Sequence, residues 1–388
     1  MSVREATHAG SWYSSSKSEL DKQLTSWLDK AKQQLPGALD VPVKGCKAII
    51  APHAGYAYSG PAAAHAYACV DTSVMQALTL RSFISSRVFV LGPSHHVPLR
   101  GCALTQCTEY ETPLGDLVID AKAVATLKAT KQFTVMDIDA DEDEHSIEMH
   151  LPYIYKIFQE RKDVRIVPIL VGSLTQEQEQ SYGQVLAPFL ADPSTLFIIS
   201  SDFCHWGSRF SYQYYLPPNV TLASVSDPGQ ITKSIGYSLQ KTAPPDAQRK
   251  IWQSIQVLDQ LGMKAVRFGD VRLQQYDSLV SNDFVTSLTS TTTSVLDSKT
   301  KTAGQAHEQF CGYLKATRNT ICGRHPIGVL LATIDALEKT DSTKAGLPGW
   351  KSSKVSLVWT RYEQSSRCID LGDSSVSYAS AYVHVDQD

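Results

Sequence analysis

No stretch of this sequence approaches the roughly 20 consecutive apolar residues that a membrane-spanning helix needs, so no membrane span is expected. No Lys/Arg block stands out and the formal net charge is only -3, which argues against a nucleic-acid binder. There is no Gly-x-x-x-x-Gly-Lys-Ser/Thr loop and no Gly-x-Gly-x-x-Gly after a strand, so no nucleotide cofactor is expected. A Gly-x-Ser-x-Gly elbow is also missing. That weakens a Ser/His/Asp hydrolase built on Ser94, Ser200 or Ser201. The eight cysteines show no paired Cys-x-x-Cys spacing, and Met1-Ser2-Val3-Arg4-Glu5 lacks an apolar leader. Together these point to free thiols, no signal peptide and a cytoplasmic protein, with the nucleus as a second compartment.

What is present is a core. The chain has 388 residues, of which 43% are hydrophobic and 19% charged. Its organising stretch is Arg87–His96, RVFVLGPSHH. Val88 to Leu91 form an uninterrupted apolar run, stopped by Gly92-Pro93, which suits a strand buried on both faces of a parallel sheet. Ser94, His95 and His96 follow at the strand's carboxyl end, where open α/β sheets bind ligands. Ala48–Ala51 runs in the same way into Pro52-His53. Leu196–Ile199 runs into Ser200-Ser201-Asp202-Phe203-Cys204-His205, and Arg165–Val171 into Gly172-Ser173. The expected fold is therefore α/β, a single domain with a mostly parallel central sheet flanked by helices.

Between these strands the spacing predicts helices. Leu20, Leu24, Trp27, Leu28 and Ala31 form one stripe behind a capping-box pattern at Ser16 and Glu19. Gly60-Pro61 is expected to open a helix to about Val70, with His65 as an ordinary packed histidine. A helix over roughly 247–261 is expected to stop at Gly262. Another starts at Pro326 and buries Ile327, Leu330, Leu331, Ile334 and Leu337. The acidic run Asp139–Glu144 ahead of His145, Glu148 and His150 reads as a solvated helix start, with a site role for His145 and Glu148 as the competing reading. Residues 268–304, including the Ser/Thr-dense 287–298, read as a mobile surface insertion.

Imidazole is the commonest metal ligand and general base. His53 and His95 come from two strand ends. Cys322 sits just before a helix, where the helix dipole and Arg324 favour a thiolate. Converging, the three would make a centre of three protein ligands with open positions, the pattern of a catalytic metal. The competing reading makes Cys322 a small buried hydrophobe and His53 a satisfied loop histidine. Asp202 and His205 suggest an orienting carboxylate and a base.

HAGSWY at 8–13, AIIAPHAGYAYSG at 48–60, LGPSHHVPL at 91–99, DEDEHSIEMHLPY at 141–153, SSDFCHWG at 200–207, NTICGRHPIGVLL at 319–331 and DSSVSYA at 373–379 together resemble the Memo family. That resemblance implies a class III extradiol dioxygenase-like fold and a pocket related to non-haem iron enzymes. It places metal ligands at His53, His95 and Cys322, and further pocket positions at Asp202 and His205. Trp12 and Tyr58 fall at the pocket rim, and Arg324 and His145 are added as substrate-side residues. A thiolate where those dioxygenases use a carboxylate argues against ring cleavage and for a softer or redox-active metal, iron or copper ahead of zinc. The resemblance also implies a role in cell motility, growth or signalling. The alternative it carries is a non-catalytic module whose pocket takes a phosphotyrosine or aromatic peptide side chain, with Trp12, Tyr56, Tyr58 and Arg324 supplying stacking and charge.

Overall fold

The four apolar runs form the middle of one sheet. The computed structural model describes residues 2–35, 40–73, 86–161, 163–241, 243–269, 301–340 and 355–385. Strands Cys46–Ala51, Thr195–Ser200, Arg87–Pro93 and Arg165–Val171 lie side by side and parallel. Ile49, Ile50, Phe89, Val90, Ile198 and Ile199 are fully buried, as a sheet covered on both faces requires. All four strands end on the same edge, which delivers His53, Asp202, His95 and Ser173 to one place.

Among the described residues the nine-stranded sheet is mixed, not purely parallel: its central strands are parallel and antiparallel strands join on both sides. On one side, Ser374–Val385 runs antiparallel to Cys46–Ala51 and also pairs with Asp202–Gly207 and Val355–Gln364. On the other side, Cys102–Leu104 runs antiparallel to Arg165–Val171. The sequence marks strands at 355–359 and 377–385, but not their direction, which an apolar run does not encode. Helices cover both faces, and one buried apolar cluster runs from Tyr13 to Val385.

Several helix boundaries differ from expectation. Helix Lys17–Gln34 buries Leu20, Leu24, Leu28 and Ala31, but the Ser16 side chain makes no capping bond. The second helix spans Tyr56–Tyr67, so Pro61 lies inside it instead of opening it. Tyr56 fixes that earlier start: its N–H donates to the Trp12 carbonyl and its hydroxyl to the Met149 carbonyl. Helix Ile251–Val266 runs through Gly262, which lies against the Tyr313 ring. Pro326 is the third residue of helix Arg324–Lys339. His65 is buried, its Nδ1 on the Pro61 carbonyl. Of the expected insertion, residues 270–300 lie outside the described residues. Its flanks belong to the fold: Phe268 is buried, and Ala303 begins helix Ala303–Thr317.

Lys47 enters the sheet from its first strand, and its Nζ donates to the carbonyls of Asp192 (2.5 Å) and Thr195 (2.7 Å). Burial lowers this ammonium from 10.5 to about 7. Between those values the unfolded chain holds a proton that the folded chain has released, so stability rises with pH from about 7 towards 10. Lys301 acts in the same direction. Lys47→Met is expected to remove its share of that rise. Denaturant melts at several pH values check this, and an unchanged slope contradicts it.

Candidate metal centre

His53 is the hub. It follows strand Cys46–Ala51 and is almost fully buried. The Ser200 hydroxyl donates to the Ser146 carbonyl at 2.7 Å, so its oxygen accepts from His53 Nδ1–H at 2.5 Å. That fixes the tautomer and leaves Nε2 as an acceptor. Cys322 Sγ stands 3.1 Å from Nε2. His95 is held in the same way. Glu144 accepts from His95 Nδ1 at 2.9 Å and from its backbone N–H at 2.6 Å. A carboxylate or hydroxyl on Nδ1 with Nε2 left open is how proteins orient metal-ligating imidazoles.

The rings converge. His53 and His95 have centroids 5.2 Å apart, and His145 stacks on His95 at 4.5 Å. Two groups result, each with ligand atoms within 4.8 Å of one another: His53, His95 and His145, and His53, Asp202 and Cys322. His53 belongs to both. The expected trio of His53, His95 and Cys322 is not one of these groups: His53 is shared, while His95 falls in the first and Cys322, with Asp202, in the second. His145, expected on the substrate side, stands among the imidazoles, and its buried Nδ1 has no hydrogen-bond partner.

Two close approaches bring the outer segments in. A Cβ on Gly323 would sit 2.3 Å from the Ser200 carbonyl oxygen, so only glycine lets the Cys322 turn rest on that strand end. A Cβ on Gly92 would sit 2.5 Å from Ser146 Oγ, so Gly92 admits the 144–148 segment beside His95.

Electrostatics favours neutral donors. Burial first, then the surrounding imidazoles, holds His53 well below the usual histidine range. Burial and then His95 bring His145 down to about 3. Burial opposes ionisation of Glu144, but its bonds from His95 win and bring it to about 2. Cys322 departs from expectation. Burial, then Asp202, pushes its thiol well above the usual value, against the pull of the Asp202 and Gly323 N–H groups and Arg324. Without a cation it is a thiol donating towards His53 Nε2. A bound metal would supply the charge that releases its proton.

Asp202 and His205 do not pair as expected. Asp202 Oδ1 accepts from the backbone N–H groups of His53 (2.9 Å) and Ala54 (3.4 Å), so it shapes the His53 turn. Burial raises its pKa, against the pull of His205. His205 Nδ1 faces the carbonyls of Phe203 (3.0 Å) and Thr320 (3.1 Å), which orient the ring instead. His205 lines a cavity of about 340 Å³ together with His95, Cys322, Arg324 and His325. His53 does not line it. Trp12 does not line that cavity; its ring centroid lies 4.3 Å from that of His145. Tyr58, expected at the pocket rim, is 62% exposed and does not line the cavity. Ser200 is fully buried and already engaged, which removes it as a hydrolase nucleophile.

The acidic run is only partly a solvated face: Asp139 and Asp143 are exposed, but other carboxylates in and after it are not. Asp141, Glu144 and Glu148 are buried. Glu148 joins Arg4 (2.7 Å), His8 (2.9 Å) and the Tyr13 hydroxyl (2.7 Å), which fastens the Trp12 segment to the centre. Sequence reading named Glu148 but missed Glu144 and the supporting role of Ser200. The signal for Glu144 was its place directly before His145.

All eight cysteines are free, and among the described residues no helix is long and apolar enough to cross a membrane. The Memo-like protein family model matches residues 4–382. Protein MEMO1 of Danio rerio is 42% identical over 380 residues, covering 98% of this chain and 96% of its own. Protein MEMO1 of Homo sapiens is 40% identical over 383 residues, covering 98% and 97%. Protein memo-1 homolog of Caenorhabditis elegans is 36% identical over 383 residues, covering 99% and 83%. Among solved structures, an uncharacterized protein of Escherichia coli K12 aligns over 80% of this chain and 92% of its own, at 11% identity and a TM-score of 0.29, a likeness that carries no argument.

Proposed function

The chain belongs to the Memo-like family, and from that premise we propose that it is a metal-binding redox protein whose His53, His95 and Cys322 hold iron or copper. The observation that carries this reading is the pair of imidazoles with Nδ1 engaged and Nε2 open, with a sulfur 3.1 Å from one of them. Two nitrogens and a thiolate suit a redox-active metal, which would supply one-electron chemistry. His145 stands as a further imidazole beside the same point. His95 and Cys322 line the cavity, so the open side of the centre would face a small molecule there. His205 would take or give a proton at Nε2, and Arg324 would hold an anionic group. A cellular role in motility, growth or signalling rests on the family likeness alone.

Elemental analysis of the full chain, purified without added metal, combined with a reductive titration tests this. About one equivalent of iron or copper that takes up electrons reversibly is expected. Protein carrying only a redox-inert ion, and unable to take up electrons when loaded with iron or copper, contradicts it.

A further inference from the structure

Away from this centre, three helices close on one buried carboxylate. Glu179, on helix Gln176–Ala191, is 5% exposed. Its Oε2 lies 2.6 Å from His307 Nε2 and its Oε1 lies 2.7 Å from His325 Nδ1. His307 and Cys311 stand four residues apart on helix Ala303–Thr317, so they share a face. Helix Arg324–Lys339 approaches closely at Gly328, where a Cβ would sit 2.4 Å from Glu179 Oε2. One ligand atom each from Glu179, His307 and Cys311 falls within 4.8 Å of the others.

We propose that Glu179, His307 and Cys311 form a second metal site, for a zinc-type divalent ion. Carboxylate, imidazole and thiolate are zinc's ordinary donors, and three of them leave a fourth position for water. The half-buried Cys311 gives that position a route to solvent. In the ion-free protein, a proton occupies the line between His307 and Glu179. An entering dication replaces it, Cys311 loses its own proton, and both protons leave to water. The two side chains then separate from 2.6 Å to a coordinating distance. The carboxylate and thiolate balance the dication's charge. His325 stays on Oε1 and orients the carboxylate from outside, as supporting groups do around metal ligands. The ion would tie helix 176–191 to helix 303–317. This assignment does not depend on the redox reading, since it uses none of that centre's ligands.

The test uses the full chain carrying His53→Ala and Cys322→Ser, which leaves only the second site. Titrated with cobalt(II) and then zinc, it is expected to bind one equivalent, with a thiolate-to-cobalt charge-transfer band that zinc abolishes. Adding Cys311→Ser is expected to remove the band and weaken zinc binding at least tenfold. His307→Gln, which keeps a donor to Glu179, should weaken it similarly. Thermal melts without metal show that each variant folds, and zinc should raise the Tm of the parent but not of these variants. No stoichiometric binding by the parent, or binding unchanged by Cys311→Ser and His307→Gln, overturns the proposal.

Discussion

Replacing His53 with Ala is expected to abolish stoichiometric binding of iron or copper at the strand-end centre, a larger loss than any other single change there produces. His53 is the member common to both donor groups, so neither survives without it. Cys322→Ser should instead leave weakened binding by the imidazoles and remove any sulfur-to-metal absorption. The fold should tolerate His53→Ala. Ser200 keeps its bond to the Ser146 carbonyl, and the backbone N–H of residue 53 still reaches Asp202. The cost is that of one buried side chain, roughly 2–3 kcal/mol. Elemental analysis with a thermal melt of the metal-free variant separates the two effects. A folded His53→Ala protein that keeps its full iron or copper content contradicts the assignment.

Glu144→Gln should have the next largest effect, although Glu144 is not a ligand. Its two oxygens accept from the ring and backbone of His95 and from the Ser146 N–H. An amide must turn one NH2 towards one of those donors, so His95 loses its fixed aim. Loss of such a supporting group typically weakens metal affinity about 10- to 100-fold. The Glu144 carboxyl is ionised down to about pH 2, so the loss should be equal at pH 6 and pH 8. Competition with a chelator at both values checks this. Wild-type affinity in a folded variant would show that His95 needs no such support.

The strands and their histidines were legible because the signal is local. A run such as Val88–Leu91 stopped by Gly-Pro has few readings, and the residue after it falls on the ligand-binding edge. Cys322 was legible as a residue before a helix, but its protonation was not. The helix start and Arg324 argue for a thiolate, and only the packed structure adds the burial that outweighs them. The acidic run misled for the same reason. Nothing in Asp139–Glu144 announces that Arg4 and Tyr110 reach Asp141, or that His95 reaches Glu144, across distant stretches of chain. The strands at 355–359 and 377–385 were legible, but their antiparallel direction was hidden because register and neighbours are not written in alternation. Gly262 looked like a stop because local propensity omits the Tyr313 ring that needs the space. The Glu179 cluster escaped because its members lie on three helices whose packing no periodicity reveals.

The most direct measurement is an X-ray absorption spectrum of the full chain carrying Cys311→Ser, loaded with one equivalent of iron or copper. With that sulfur removed, the account predicts a single sulfur scatterer in the first shell together with an imidazole shell, the sulfur lost on Cys322→Ser. A first shell of nitrogen and oxygen alone in the protein that retains Cys322 would contradict it.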